Sequence, residues 1–142
     1  MRASGAGPVK RLRALNGERK RLLLRSTGLL ACASAAVALL PFRVAIRFGC
    51  VPLGRDPVSP ADCLWAVEAA ARRLPWRTMC IEKGIVVQRM LRAAGIDAVL
   101  HYGARHHPDS HKLEAHVWVM VADCAVIGGV EAKDFAEIAS YP

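Results

Sequence analysis

The sequence has few acidic residues, and almost none in its first third. Twelve Asp and Glu stand against twenty Lys and Arg, which gives a formal net charge of +8, and Glu18 is the sole acid before residue 50. A basic segment of this kind can bind nucleic acid, anionic lipid or an acidic peptide, or can form a solvated helix face. Interleaved aromatics, a zinc knuckle and a recognition-helix signature are all missing, so the charge does not indicate nucleic-acid binding.

No CxxC pair occurs, and the number of cysteines is odd. All five are isolated, mostly among apolar neighbours: Cys32, Cys50, Cys63, Cys80 and Cys124. This pattern excludes a disulfide framework and fits a reducing, cytoplasmic compartment, where a lone cysteine is either inert core or a reactive thiol. A P-loop is also missing, so the chain itself is not predicted to bind ATP.

The apolar run near the N-terminus is too short to predict a membrane span. Gly28 to Leu40 contains thirteen residues without a charge, whereas a helix needs about 20 to cross a bilayer. Pro41 follows at once, and no A-x-A cleavage site marks the run as a signal peptide. We therefore expect a buried or interfacial helix and no membrane anchoring.

A chain of 142 residues with 54% hydrophobic content can bury one core. Apolar periodicity predicts a helix over residues 10–40, and a second helix that is capped by Ser59 and stops at Pro75. We expect a basic and apolar helical N-terminal extension over residues 1–58, packed on a core over residues 59–142.

A third helix is predicted between Thr78 as N-cap and Gly95 as C-cap, with Cys80 in its first turn. Apolar side chains occupy most of its circumference, which is typical of a central helix. The unpaired N–H groups and the positive dipole at a helix N-terminus stabilise a thiolate, the nucleophilic form of cysteine. Cys80 is therefore the candidate nucleophile.

Beyond Gly95 the apolar period changes from that of a helix to that of a strand. Residues 96–102 alternate in polarity, 103–112 are predicted to form a polar, histidine-rich loop, and 115–121 alternate again before a short strand at 124–127. A central helix packed on a small antiparallel sheet is an α+β fold.

His116 is the candidate general base, because a strand is a rigid mount for such a side chain. A histidine in an apolar strand is often only a hydrogen-bonded core residue. What favours chemistry is the order along the chain: a cysteine at a helix start, then helix, strand, loop and a strand histidine. Papain-like and transglutaminase-like cores have this order.

Five segments of the chain also fit a known family in sequence and spacing. They are Leu39-Leu40-Pro41-Phe42-Arg43, the segment from Cys80 to Met90-Leu91-Arg92-Ala93-Ala94-Gly95-Ile96, Leu100-His101-Tyr102-Gly103, Ala115-His116-Val117-Trp118-Val119, and Phe135 with Ala139-Ser140-Tyr141-Pro142. Together they resemble the lasso-peptide biosynthesis B2 proteins, which carry a transglutaminase-like cysteine-peptidase domain. The resemblance covers nearly the whole chain.

The resemblance implies a leader peptidase without a cofactor. It implies that Cys80 attacks the scissile carbonyl of a lasso-precursor leader, and that His116 takes the thiol proton and delivers it to the leaving amine. The family's third catalytic member is an aspartate, and its place falls near Gly128. Asp123 is the nearest acid and our candidate for that role, while Glu131 and a backbone carbonyl are the alternatives.

The resemblance also implies partners. They are the lasso precursor peptide, a separate leader-recognition protein of the B1, PqqD-like kind, and an ATP-dependent lasso cyclase that closes the ring afterwards. The N-terminal helix is a possible contact for the recognition protein. No nucleic-acid partner is expected.

Two other interpretations stay open. The first is a metal site, because His107 and His111 have the i, i+4 spacing that binds zinc on a helix. Pro108 lies between them in a predicted loop, so we expect no metal. The second is a non-enzymatic module that binds a peptide or a membrane surface through its basic N-terminal helix, with Cys80 as a structural residue.

Overall fold

The computed structural model describes residues 15–142, so the helix expected over residues 10–40 can be compared only from residue 15 onward. The helices are α1 (Gly17–Leu39), α2 (Phe42–Ala45) with a following 3-10 turn (Ile46–Phe48), α3 (Pro60–Ala71), α4 (Cys80–Ala93) and α5 (Gly129–Ala132). The strands are β1 (Ala98–His106), β2 (Leu113–Val121), β3 (Cys124–Ile127) and β4 (Ala136–Tyr141). They form an antiparallel sheet in the order β3-β2-β1-β4. The predicted α+β class is confirmed.

Side-chain caps explain where helices α1 and α3 begin. At the start of α1 the Asn16 side chain accepts a hydrogen bond from the Arg19 N–H at 2.9 Å. At the start of α3 the predicted cap, Ser59, accepts one from the Asp62 N–H at 3.1 Å. Each bond satisfies a donor that the helix itself leaves without a partner.

The hairpin of β1 and β2 is longer than the sequence pattern predicts. Residues 103–106, predicted as loop, continue β1 and pair with the first residues of β2. Arg105 lies opposite Glu114, and the Arg105 Nε is 2.8 Å from the Glu114 Oε2. A cross-strand ion pair of this kind stabilises pairing between polar residues, so the two strands can continue where neither face is buried.

The pattern does not predict β4 at all. This strand pairs with β1 at the edge of the sheet, and its Ile138 is 63% exposed. An edge strand without a buried face lacks the apolar alternation from which strands are recognised. The short helix α5, which precedes it, has no buried residue and is missed for the same reason.

The N-terminal helix and the rest of the fold share one hydrophobic core. Leu30 of α1, Val67 of α3 and Leu91 of α4 have no exposed surface and belong to the same cluster as Leu100 and Val119 of the sheet. α1 packs on α3 and α4, and α4 also packs on β1 and β2. α4 is therefore the central helix, as its apolar circumference predicts.

Close packing between α4 and the sheet depends on Gly84. A Cβ there would lie 3.1 Å from the Val117 Cγ2 and 3.4 Å from the Leu100 Cδ1. We expect Gly84→Ala to lower the free energy of unfolding by about 1 to 2 kcal/mol, because the overpacking exceeds the gain in helix propensity. Urea unfolding would measure this. The control is Gly28→Ala in α1, where no atom of the described part of the chain lies within 4 Å of the added methyl. Equal stability of the two variants would contradict the packing.

Candidate active site

Cys80 is the first residue of α4. The N-cap is Met79, and not the predicted Thr78, because the Glu82 carboxylate accepts a hydrogen bond from the Met79 N–H and closes the first turn. The Cys80 side chain is partly exposed. The first N–H groups of a helix, that of Cys80 included, have no intrahelical acceptor and can donate to a developing oxyanion.

His116 lies on β2, and only 12% of its side-chain surface is exposed. Its Nε2 donates a hydrogen bond to the Gly128 carbonyl oxygen at 2.9 Å. Because a carbonyl can only accept, the ring proton must be on Nε2, and Nδ1 of the neutral ring keeps its lone pair. The bond therefore fixes the tautomer in which Nδ1 can take a proton.

The close approach of the Gly128 carbonyl to the ring requires a glycine. Gly128 has φ +73°, a conformation that other residues rarely adopt. A Cβ at this position would lie 2.6 Å from the Val117 carbonyl oxygen and 3.1 Å from the His116 Nε2. Glycine therefore satisfies a steric and a conformational demand at once.

The direction of α4 places Cys80 at the histidine's end of the helix–sheet interface. Gly84 packs against Val117, the neighbour of the histidine. One turn later along α4, the Gln88 side chain donates a hydrogen bond to the carbonyl oxygen of Ala98. Ala98 lies opposite Val121, the last residue of β2. Extending α4 back by one turn from Gly84 therefore brings Cys80 toward the start of β2.

Within residues 15–142, no hydrogen bond joins Cys80 to His116. Side chains alternate along a strand, and Val117 faces α4, so the His116 and Trp118 rings lie on the other face of β2. The structure thus brings the two candidates to one end of the sheet but does not pair them directly. Proton transfer between Cys80 and His116 therefore requires the two side chains to approach each other when substrate binds.

Aromatic packing limits rotation of the His116 ring. The ring centroid is 5.1 Å from that of Phe135 and 6.2 Å from that of Trp118. The Arg105 guanidinium lies over Phe135 on one side, and Trp118 stacks on His101 on the other. Phe135 follows α5 in a segment without periodicity, so no pattern in the sequence signals its contact with the histidine.

The structure does not bring Asp123 to His116. Asp123 lies in the turn after Val121, and the five residue-to-residue steps from His116 to Val121 span about 17 Å at about 3.3 Å each. The Glu131 Oε2 is 4.0 Å from the His116 Nε2, but its side chain is 64% exposed. The sequence leaves three orienting groups open. Among them, the backbone carbonyl of Gly128 is the one that forms a hydrogen bond with the His116 ring.

The histidine-rich segment forms the turn between β1 and β2. The His107 Nδ1 accepts hydrogen bonds from the N–H groups of Asp109 at 3.2 Å and Ser110 at 3.3 Å, so this ring shapes the turn. His111 has φ +52°. In the part of the chain that the structure describes, no group of three or more His, Cys, Asp or Glu side chains could hold a metal ion.

Burial separates Cys80 from two of the other cysteines. Cys63 is fully buried in α3, and burial raises the pKa of its thiol to about 11. Burial also raises the pKa of the Cys50 thiol. A raised pKa disfavours the thiolate, so neither group is suited to act as a nucleophile near neutral pH. Cys32 and Cys124 are exposed but lie inside a helix and at the start of a strand, where no helix N-terminus assists a thiolate.

Comparison with protein families matches residues 2–140 to a model described as the Transglutaminase-like superfamily. The match includes the N-terminal helix, Cys80 and His116. A search of curated proteins and a search of solved structures returned no match.

Proposed function

The chain belongs to the transglutaminase-like superfamily, and on that premise we propose that it is a cysteine peptidase that removes the leader from a lasso-peptide precursor. The hydrogen bond from the His116 Nε2 to the Gly128 carbonyl carries the peptidase proposal. It leaves Nδ1 free to act as a base, at the end of the sheet toward which the first turn of α4 extends. The lasso assignment is supported by the five segments that resemble the B2 proteins.

In the proposed reaction Cys80 and His116, which are not in hydrogen-bond contact in the described part of the structure, come together when the leader binds. The His116 Nδ1 then takes the proton from the Cys80 thiol, and the sulfur attacks the scissile carbonyl carbon. The Cys80 N–H donates to the resulting oxyanion. When the tetrahedral intermediate collapses, the C–N bond breaks and the imidazolium gives its proton to the leaving amine. The leader stays on the sulfur as a thioester until a water, deprotonated by His116, releases it as a carboxylate.

The imidazolium that forms between these steps has two stabilising groups nearby. The Gly128 carbonyl accepts the Nε2–H throughout the reaction. The Glu131 carboxylate lies 4.0 Å from the same nitrogen, and its exposure makes this a weak ion pair. Asp123 takes no part in this scheme, because it lies at the far end of β2.

The proposed product fits the chemistry of its proposed partners. Cleavage leaves the core peptide with a free α-amine, the nucleophile that an ATP-dependent cyclase needs for macrolactam closure. A separate B1, PqqD-like protein would present the leader to Cys80. A reducing cytoplasmic location for these steps is supported by the five isolated cysteines of the sequence, which contain no CxxC pair.

Incubation of this protein with a lasso precursor and its leader-recognition protein tests the proposal, with intact mass as the readout. We expect one cut, seen as the masses of leader and core peptide. The variant Asp123→Asn should cut at a rate within about twofold of wild type, since a surface turn residue far from the reacting atoms contributes little. A precursor that stays uncut although both proteins are folded would contradict the proposed function.

A further inference from the structure

The outward face of α1 is apolar and exposed. Leu24 is 73% exposed and Leu39 is 80% exposed, and the positions between them on this face, Gly28, Cys32 and Ala35, are exposed as well. At about 100° per residue these five residues lie within an arc of about 80° and extend over about 22 Å. Within the described residues, 15–142, a Cβ at Gly28 would meet no atom within 4 Å. We call these five residues the α1 stripe.

The opposite face of α1 already has its partners. Leu23, Ser26, Leu30 and Ala33 are at most 5% exposed where α1 packs on α3 and α4. The outer face of such a helix is ordinarily charged or polar, whereas residues 26–40 carry no charge at all. An apolar helix face that stays exposed is a candidate interaction surface.

The folded helix is longer than the charge-free run from Gly28 to Leu40. α1 has 23 residues and is long and apolar enough to cross a membrane, although 22% of its most apolar window is buried in the fold. Crossing would require Leu23, Leu30 and Ala33 to leave the core that they share with α3 and α4. Lying along a membrane surface uses the α1 stripe and leaves that core intact.

Basic residues stand at both ends of the α1 stripe. Arg21 lies one turn before Leu24, and Arg43 and Arg47 follow the far end, where Leu40 and Val44 are also exposed. None of the three arginines forms an ion pair with a residue of the described range 15–142. Arg43 and Arg47 also line an open cavity of about 490 Å³. An apolar face with guanidinium groups at its ends complements an anionic lipid surface.

We propose that the α1 stripe lies on the surface of an anionic membrane. Its apolar side chains enter the boundary between headgroups and acyl chains, and Arg21, Arg43 and Arg47 contact lipid phosphates. The attachment is peripheral, and it does not depend on the peptidase activity, because the stripe contains neither Cys80 nor His116.

Cosedimentation of the full chain with lipid vesicles tests this proposal. We expect binding to phosphatidylcholine vesicles that contain about 30% phosphatidylglycerol, and binding at least about tenfold weaker to phosphatidylcholine alone. The double variant Leu24→Asp and Leu39→Asp should lose at least about tenfold in binding to the anionic vesicles. The matched control is Val130→Asp, which changes an apolar side chain that is 84% exposed on α5 and should bind as wild type does.

Circular dichroism establishes that each variant is folded before it is scored. Absence of binding to anionic vesicles, or equal binding by the stripe variant, would overturn the proposal. So would a concentration-dependent dimer that the stripe variant loses, since the stripe would then bind a second copy of the chain. Resistance of vesicle-bound protein to alkaline carbonate extraction would overturn peripheral attachment in favour of a membrane span.

Discussion

Replacement of Cys80 by alanine is expected to abolish precursor cleavage and to leave the fold intact. The loss should reach about 10,000-fold or more, because no other group in the proposed site can form the acyl intermediate. The side chain is partly exposed, so its truncation removes little packing. Intact mass of the precursor measures the cleavage, and circular dichroism with thermal unfolding measures the fold.

The matched control for Cys80→Ala is Cys124→Ala. Cys124 is an exposed cysteine at the start of β3, and its removal should leave the cleavage rate at the wild-type value. If Cys80→Ala cleaves as fast as wild type, Cys80 is a structural residue. That result would favour the non-enzymatic interpretation of the chain over the peptidase.

Replacement of Gly128 by alanine is expected to lower kcat by about 100-fold or more. The added methyl would lie 2.6 Å from the Val117 carbonyl oxygen and 3.1 Å from the His116 Nε2, at a residue with positive φ. The carbonyl must therefore move, and the histidine loses the bond that keeps its proton on Nε2. Loss of the correct tautomer is among the larger single effects known in nucleophilic catalysis.

A split between kcat and KM distinguishes this positioning role of Gly128 from a general loss of structure. KM should stay within a few-fold of wild type, since the bond acts on the base and not on the bound leader. Gly17→Ala is the control, because among residues 15–142 no atom lies within 4 Å of a Cβ there. Full kcat in a folded Gly128→Ala protein would mean that the carbonyl does not orient His116.

The elements that local chemistry determines could be predicted from the sequence. Ser59 caps α3 as its hydroxyl predicts, and Cys80 falls in the first turn of α4. The N-cap of α4 was misassigned by one residue, because Thr78 has a capping hydroxyl whereas the Glu82 carboxylate closes the turn on Met79.

The orientation of the candidate base could not be predicted, because it depends on a backbone atom. Gly128 has no side chain that would signal the role of its carbonyl, so the sequence places the orienting group near Gly128 but leaves Asp123, Glu131 and a backbone carbonyl open, with Asp123 as the candidate. Strand length separates that acid from the histidine by about 17 Å. β4 was missed for a similar reason, since an exposed edge strand is held by pairing with β1 and not by apolar alternation.

The mass of the peptide that contains Cys80, after acid quench of a reaction with precursor, tests the central claim most directly. The account predicts that this peptide carries the leader as a thioester, with the mass of the leader less one water. Protein whose Cys80 has been alkylated beforehand should neither form the adduct nor cut the precursor. A leader adduct on a different residue, or cleavage by the alkylated protein, would contradict the assignment of Cys80 as the nucleophile.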